Sequence, residues 1–135
     1  MIRVKRIYEQ ADKEDGFRIL VDRLWPRGVS KDKAKIDLWL KEVAPSDDLR
    51  NWFSHDPEKW KDFKKKYVSE LKGKTELIRK IRQAEKDRGT VTLLYSARDQ
   101  EHNQAVALND FLKRGRDRHA SARNSSKACR DTDLT

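Results

Sequence analysis

The chain is poor in the residues that most often carry a small protein's chemistry. Its 135 residues include one cysteine, Cys129, and three histidines, His55, His102 and His119. A single cysteine excludes an intrachain disulfide. The histidines are too scattered for a His-x-x-x-His pair, and neither a Cys-x-x-Cys string nor clustered carboxylates stand at metal-ligand spacing. No metal is therefore expected, and the sequence names no cofactor. Glycine is scarce, five in all. No glycine-rich phosphate loop and no Gly-x-Ser-x-Gly elbow can be built from them, which argues against P-loop NTPases and elbow-type hydrolases. No apolar run approaches the roughly 20 residues of a membrane span. The start, Met1-Ile2-Arg3-Val4-Lys5-Arg6, lacks the apolar stretch of a signal peptide. A cytoplasmic protein that does not engage a membrane is the expectation.

What the chain has in excess is charge. Hydrophobic residues make up 36% and charged residues 41%, with a formal net charge of +9. Such a balance favours anionic partners, whether nucleic acid, phosphorylated metabolites or acidic membrane surfaces, without choosing among them. The apolar residues are grouped in periodic segments, so a modest core is expected within one domain.

Residues 2–8 alternate apolar and basic side chains, as a half-buried strand does. Asp15-Gly16 is a turn signal, and 17–24 reads as a second strand with a continuously apolar centre, Ile19-Leu20-Val21. Trp25-Pro26-Arg27-Gly28 breaks it, and 29–35 forms a short basic turn or helical piece. The alternation of 36–40 predicts a third strand. Ser46 and Asp56-Pro57 are N-terminal helix signals, opening helices that carry Trp52 and Phe53, then Trp60, Phe63, Tyr67 and Leu71. A helix over 75–88 ends at Gly89, and Thr90 to Tyr95 is a strand with the composition of a central one. Asp99 to Arg114 is predicted as the last helix, with Ser96-x-x-Asp99 in the form of a capping box. From Gly115 onward Arg, Ser, Asp and Asn dominate, so 115–135 is expected to be a disordered polar tail behind a domain at 1–114. Strands interleaved with helices imply an α/β fold: a small, mostly parallel sheet flanked by helices. Neither strand order nor oligomeric state can be read from the pattern.

Two segments leave apolar strands and carry chemistry: 22–28 and 95–103. Ligands in open α/β sheets bind beyond the carboxyl ends of strands. Arg23, Arg27 and Arg98 are suited to an anion, Trp25 to stacking, and Ser96 and Asn103 to hydrogen bonding. Asp22, Asp99 and His102 are the candidates for proton transfer. The structural alternatives are a buried Asp22–Arg23 pair holding a turn and a Ser96 or Asp99 that only caps a helix. The region 39–53 adds Trp39, Glu42, Arg50, Trp52 and Phe53, most of them expected in the core or a lid.

The strings Val21-Asp22-Arg23-Leu24-Trp25-Pro26-Arg27-Gly28-Val29 and Leu93-Leu94-Tyr95-Ser96-Ala97-Arg98-Asp99-Gln100-Glu101-His102-Asn103 resemble the YeaO-like branch of domain-of-unknown-function family 488. So do Trp39 to Ser46 and Leu49-Arg50 with Trp52-Phe53. The resemblance covers about residues 1–114 and implies a single α/β domain of the bacterial or archaeal cytosol, with no established function. Some wider relatives carry a cysteine near the end of the strand equivalent to 90–95. They also carry a Cys-His-Arg string where this chain approximately reads Asn103-Gln104-Ala105. Both cysteines are missing here. Three functional readings follow: a small anionic ligand held between 22–28 and 95–103, a nucleic-acid-binding or regulatory module using Lys61, Lys64, Lys65, Lys66, Lys72 and Lys74 along with the arginines of the tail, or an inactive structural or interaction member of the family.

Overall fold

The computed structural model describes residues 1–114; the tail expected at 115–135 lies outside the described residues. Strands β1 (Ile2–Arg6), β2 (Phe17–Leu20), β3 (Leu38–Trp39) and β4 (Val91–Tyr95) form one sheet in the order β1-β4-β2-β3. All its pairings are parallel. The helices are α1 (Lys31–Ala34), α2 (Asp47–Phe53), α3 (Trp60–Leu71), α4 (Thr75–Arg88) and α5, which covers 104–114 of the described residues. The molecule is thus the α/β domain that the pattern implies, its sheet wholly parallel.

β4 is buried from end to end because β1 and β2 close it on both sides. The register sorts the side chains between faces. Ile2, Val4, Phe17, Ile19, Val91, Leu93 and Tyr95 share one face with the main core, which includes Leu49 and Phe53 of α2, Phe63, Tyr67 and Leu71 of α3, Ile78 and Ile81 of α4, and Leu108 and Leu112 of α5. The opposite face holds a smaller cluster of Ile7, Leu20, Ala34 and Leu94, extended by Trp25, Val29 and Ile36.

The rest of that second face is polar. Arg3, Thr92 and Arg18 stand in register across it, next to Lys5. They surround Asp15, which is fully buried. Its carboxylate accepts from Arg18 Nη1 at 2.5 Å, Lys5 Nζ at 3.1 Å and the Asp12 amide at 3.0 Å. The Thr92 hydroxyl donates to the Asp15 carbonyl at 2.7 Å. Gly16 follows with φ +66, and a Cβ there would lie 2.3 Å from the Thr90 carbonyl oxygen, so only glycine fits.

Several expected elements are shorter. The strand expected over 36–40 pairs only at Leu38 and Trp39, at one edge of the sheet. The helix expected from Asp99 begins at 104. The Asp99 carboxylate takes the amides of Glu101 and His102 into a local turn instead. Asn103 is the true cap, its Oδ1 accepting from the Val106 amide at 3.0 Å. Ser96 and Asp99 therefore do not form a capping box for this helix. Ser46, by contrast, caps α2 through the Leu49 amide at 3.2 Å, and Asp56 caps the 3-10 turn Pro57–Lys59 that leads into α3.

Burial alone would raise the Asp15 carboxyl. The bonds from Asp12, Lys5 and Arg18 outweigh it and hold the group below its ordinary value of 3.8. A depressed folded value contributes stability that is complete above the ordinary value and is lost as pH falls through the folded one. Asp15→Asn is expected to cost about 3 kcal/mol at neutral pH, since it strands the buried Arg18 and the partly buried Lys5. In urea titrations the gap between wild type and variant should narrow towards pH ~2; a gap that widened there would contradict the assignment.

Candidate functional site

β2 and β4 are neighbours and run parallel, so the segments leaving their carboxyl ends open at one edge of the sheet. A cleft of about 410 Å³ lies there. Asp22 and Arg23 line it from the β2 side, Ser96 and Ala97 from the β4 side, and His102, Asn103 and Gln104 from the start of α5. Pro45, Arg50, Phe53, Ser54 and His55 close it from α2 and its flanks.

Asp22 forms part of the floor and is only 8% exposed. Its Oδ1 accepts from the Gln104 side-chain amide, while its Oδ2 is buried without a hydrogen-bond partner. Desolvation pushes the carboxyl above its ordinary value of 3.8, against the opposing pull of Ser96, Gln104 and the more distant Arg50. Ser96 approaches the carboxyl through both its backbone amide and its side chain. A buried acid with one oxygen left open is costly to the fold.

Arg23 does not pair with Asp22. Its Nη2 donates to the Pro45 carbonyl at 3.2 Å, with longer contacts to the Ala44 carbonyl. That turn is fixed from behind. The Tyr67 hydroxyl donates to the Val43 carbonyl at 2.6 Å, Lys74 Nζ to the Ala44 carbonyl at 2.9 Å, and the Ser46 amide to Glu70 at 2.9 Å. Arg23 Nε is 3.7 Å from Asp47 Oδ1, and Arg50 Nη2 is 3.9 Å from the same oxygen. The two guanidinium groups therefore converge on one exposed carboxylate, beyond hydrogen-bond range of it.

His102 meets Asp99 through Nδ1 at 3.0 Å and packs its ring against the edge of Trp60, with centroids 5.2 Å apart. The contact engages one ring nitrogen and leaves Nε2 for another partner. The Asp99 carboxyl is held low by the Glu101 and His102 amides and by the His102 ring. Ser54 and His55, on the opposite rim, both have positive φ, 44 and 57. Neither is glycine, so this backbone is strained at the cleft.

The structure gathers Asp22, Arg23, Ser96, His102 and Asn103 around one cleft. It does not bring Trp25, Arg27, Arg98 or Asp99 to its lining. Trp25 turns to the opposite face of the sheet, donates from Nε1 to the Val29 carbonyl at 2.9 Å, and meets Trp39 edge-on at 5.4 Å. It therefore cannot stack a ligand in the cleft. Arg27 and Arg98 are exposed. Asp99 contacts His102 Nδ1 from outside the lining. Gln104 and Arg50 are the lining residues that a reading of the two segments underrates. Arg50 stands three residues after Asp47 on a capped helix, which is the signal that could have marked it. Among the described residues no group of His, Cys, Asp and Glu could hold a metal ion, and no helix is long and apolar enough to cross a membrane.

A wholly parallel α/β domain with a mixed-charge cleft beyond its strand ends defines the class. The chain belongs to the DUF488 family: the profile DUF488-N3i, described as the inactive DUF488-N3 subclade, matches residues 1–130. It is 39% identical over 112 residues to the uncharacterized protein YeaO of Escherichia coli K12, covering 83% of this chain and 96% of that one. It is also 39% identical over 113 residues to the uncharacterized protein Rv3073c of Mycobacterium tuberculosis H37Rv, covering 82% and 92%. No solved structure matches the chain.

Because desolvation disfavours the charged form of Asp22, Asp22→Asn is expected to stabilise the protein by about 1 kcal/mol at neutral pH. The raised folded value means that the wild type carries this penalty above its folded pKa and sheds it as pH falls below the ordinary 3.8. The difference in melting temperature should vanish there. A variant that melts lower than wild type at neutral pH would show that Asp22 is a structural partner rather than a strained site residue.

Proposed function

We propose that this protein binds a small anionic ligand in the cleft between Asp22 and the start of α5, without catalysing its turnover. The observation that carries the reading is the convergence of Arg23 and Arg50 on the single oxygen Asp47 Oδ1. An exposed carboxylate held at that distance contributes little to stability. A phosphate or carboxylate of a ligand can take its place and form the shorter charge-assisted bonds that Asp47 does not. Asp22 then faces the ligand's other end and prefers a hydrogen-bond donor, or donates itself when protonated. His102 offers its second ring nitrogen from the side.

Turnover is set aside for two reasons. The family description gives this subclade as inactive, and the described residues contain no cysteine where the chain approximately aligns with the cysteine-bearing relatives. Binding has lower requirements: a dry floor, converging cations and a fixed geometry.

A thermal-shift panel of inorganic phosphate, pyrophosphate, nucleoside monophosphates and dicarboxylates tests this. At least one anion should raise the melting temperature by several degrees at saturation. Arg50→Ala should weaken it about tenfold, while Asp47→Ala, which removes the competing carboxylate, should tighten it. No stabilisation by any anion, or weaker binding in Asp47→Ala, would refute the proposal.

A further inference from the structure

A second depression, about 510 Å³ in volume, lies between α3 and α5. Lys61, Lys64, Lys65 and Val68 line it from α3; Ala107, Asp110, Phe111 and Arg114 line it from α5. Both sets follow the spacing i, i+3, i+4 and i+7, so each helix turns one continuous stripe toward the trough. Lys64 Nζ reaches Asp110 at 3.3 Å and ties the two helices together. The floor is apolar, built from Val68, Ala107 and Phe111. Phe111 packs on the main core but remains partly exposed. The rim is basic. Lys61, Lys65 and Arg114 are exposed and form no ion pair among the described residues.

Two helices that each expose such a stripe make the seat for a third, as in helix-in-groove recognition. From this geometry we infer that the α3–α5 trough docks an acidic amphipathic helix of a partner protein. The apolar floor takes the partner's hydrophobic stripe, and the rim of Lys61, Lys65 and Arg114 takes flanking carboxylates. Charge selects this occupant over the others the chain could offer. The segment after Arg114 carries Arg116, Arg118, Arg123, Lys127 and Arg130 against Asp117, Asp131 and Asp133, and like charge disfavours it on a basic rim. A second copy, with a formal net charge of +9, is disfavoured for the same reason. Nucleic acid would use the rim but has no use for an apolar floor. The inference does not depend on the anion cleft, which shares no lining residue with the trough.

The test uses the full chain and a labelled, helix-stapled peptide with leucine at i, i+3, i+4 and i+7 and glutamate beside them. Fluorescence anisotropy should show saturable binding. Lys61→Glu with Lys65→Glu, both exposed and so harmless to folding, should weaken it at least about tenfold. Phe111→Ser, checked for an unchanged circular-dichroism spectrum, should do the same. The same peptide with lysine in place of glutamate should not bind. Equal binding of the lysine peptide, indifference to the charge variants, or displacement by single-stranded DNA at lower concentration than by unlabelled acidic peptide would each overturn the docking site.

Discussion

The buried carboxylate of Asp15 draws together Lys5 from β1, Arg18 from β2 and the Asp12 amide, while its carbonyl receives Thr92 of β4. Adjoining strands are thereby tied at one polar point. The need for it comes from the topology. A parallel sheet must be covered on both faces, and a chain with 36% hydrophobic residues commits most of them to the face under α2, α3, α4 and α5. The remaining face is closed by a small apolar cluster and by this ion network. Arg18 also donates through Nε to the Ala34 carbonyl at 2.9 Å, and its own amide donates to Asp37 at 2.9 Å. The network therefore reaches α1 and the approach to β3 as well.

Fixing β2 and β4 as neighbours decides where the cleft lies. Their carboxyl ends deliver Asp22 and Ser96 to the same edge, and the segment into α5 adds His102 and Gln104. The third wall is held by Tyr67, Glu70 and Lys74, which fasten 43–46 from behind and present the carbonyls that orient Arg23. This edge holds a buried carboxylate oxygen without a partner, Asp22 Oδ2, and two adjacent positive-φ residues, Ser54 and His55; Arg18 Nη2, Asn109 Oδ1 and Lys35 show the same features elsewhere in the fold.

The sequence pattern reveals the α/β class, the central strand, the capped starts at Ser46 and Asp56, and the edge of the sheet where the cleft opens. These features are local or follow from periodicity. What it conceals depends on which face a turn takes. Trp25 and Arg27 follow Asp22 and Arg23 closely, yet the chain bends at Arg23-Leu24 and turns at Arg27-Gly28, and Trp25 packs on the far face against Trp39. Arg98 is exposed, in the loop that the Asp99 carboxylate folds into a turn before α5. Arg50 and Gln104 enter the cleft through tertiary packing, and no motif connects them to Asp22. The expected helix start at Asp99 fails for a related reason: several good capping residues lie close together, and backbone competition among them selects Asn103.

Asp22 lies in the floor of the cleft proposed to take an anion, as a desolvated acid. The direct measurement is a pH titration of its side-chain carboxyl by carbon-13 NMR, with and without an anion that stabilises the protein. Titration above the ordinary 3.8 is expected, with a further upward displacement when an anion occupies the cleft. Titration at or below 3.8, unmoved by the anion, would contradict it.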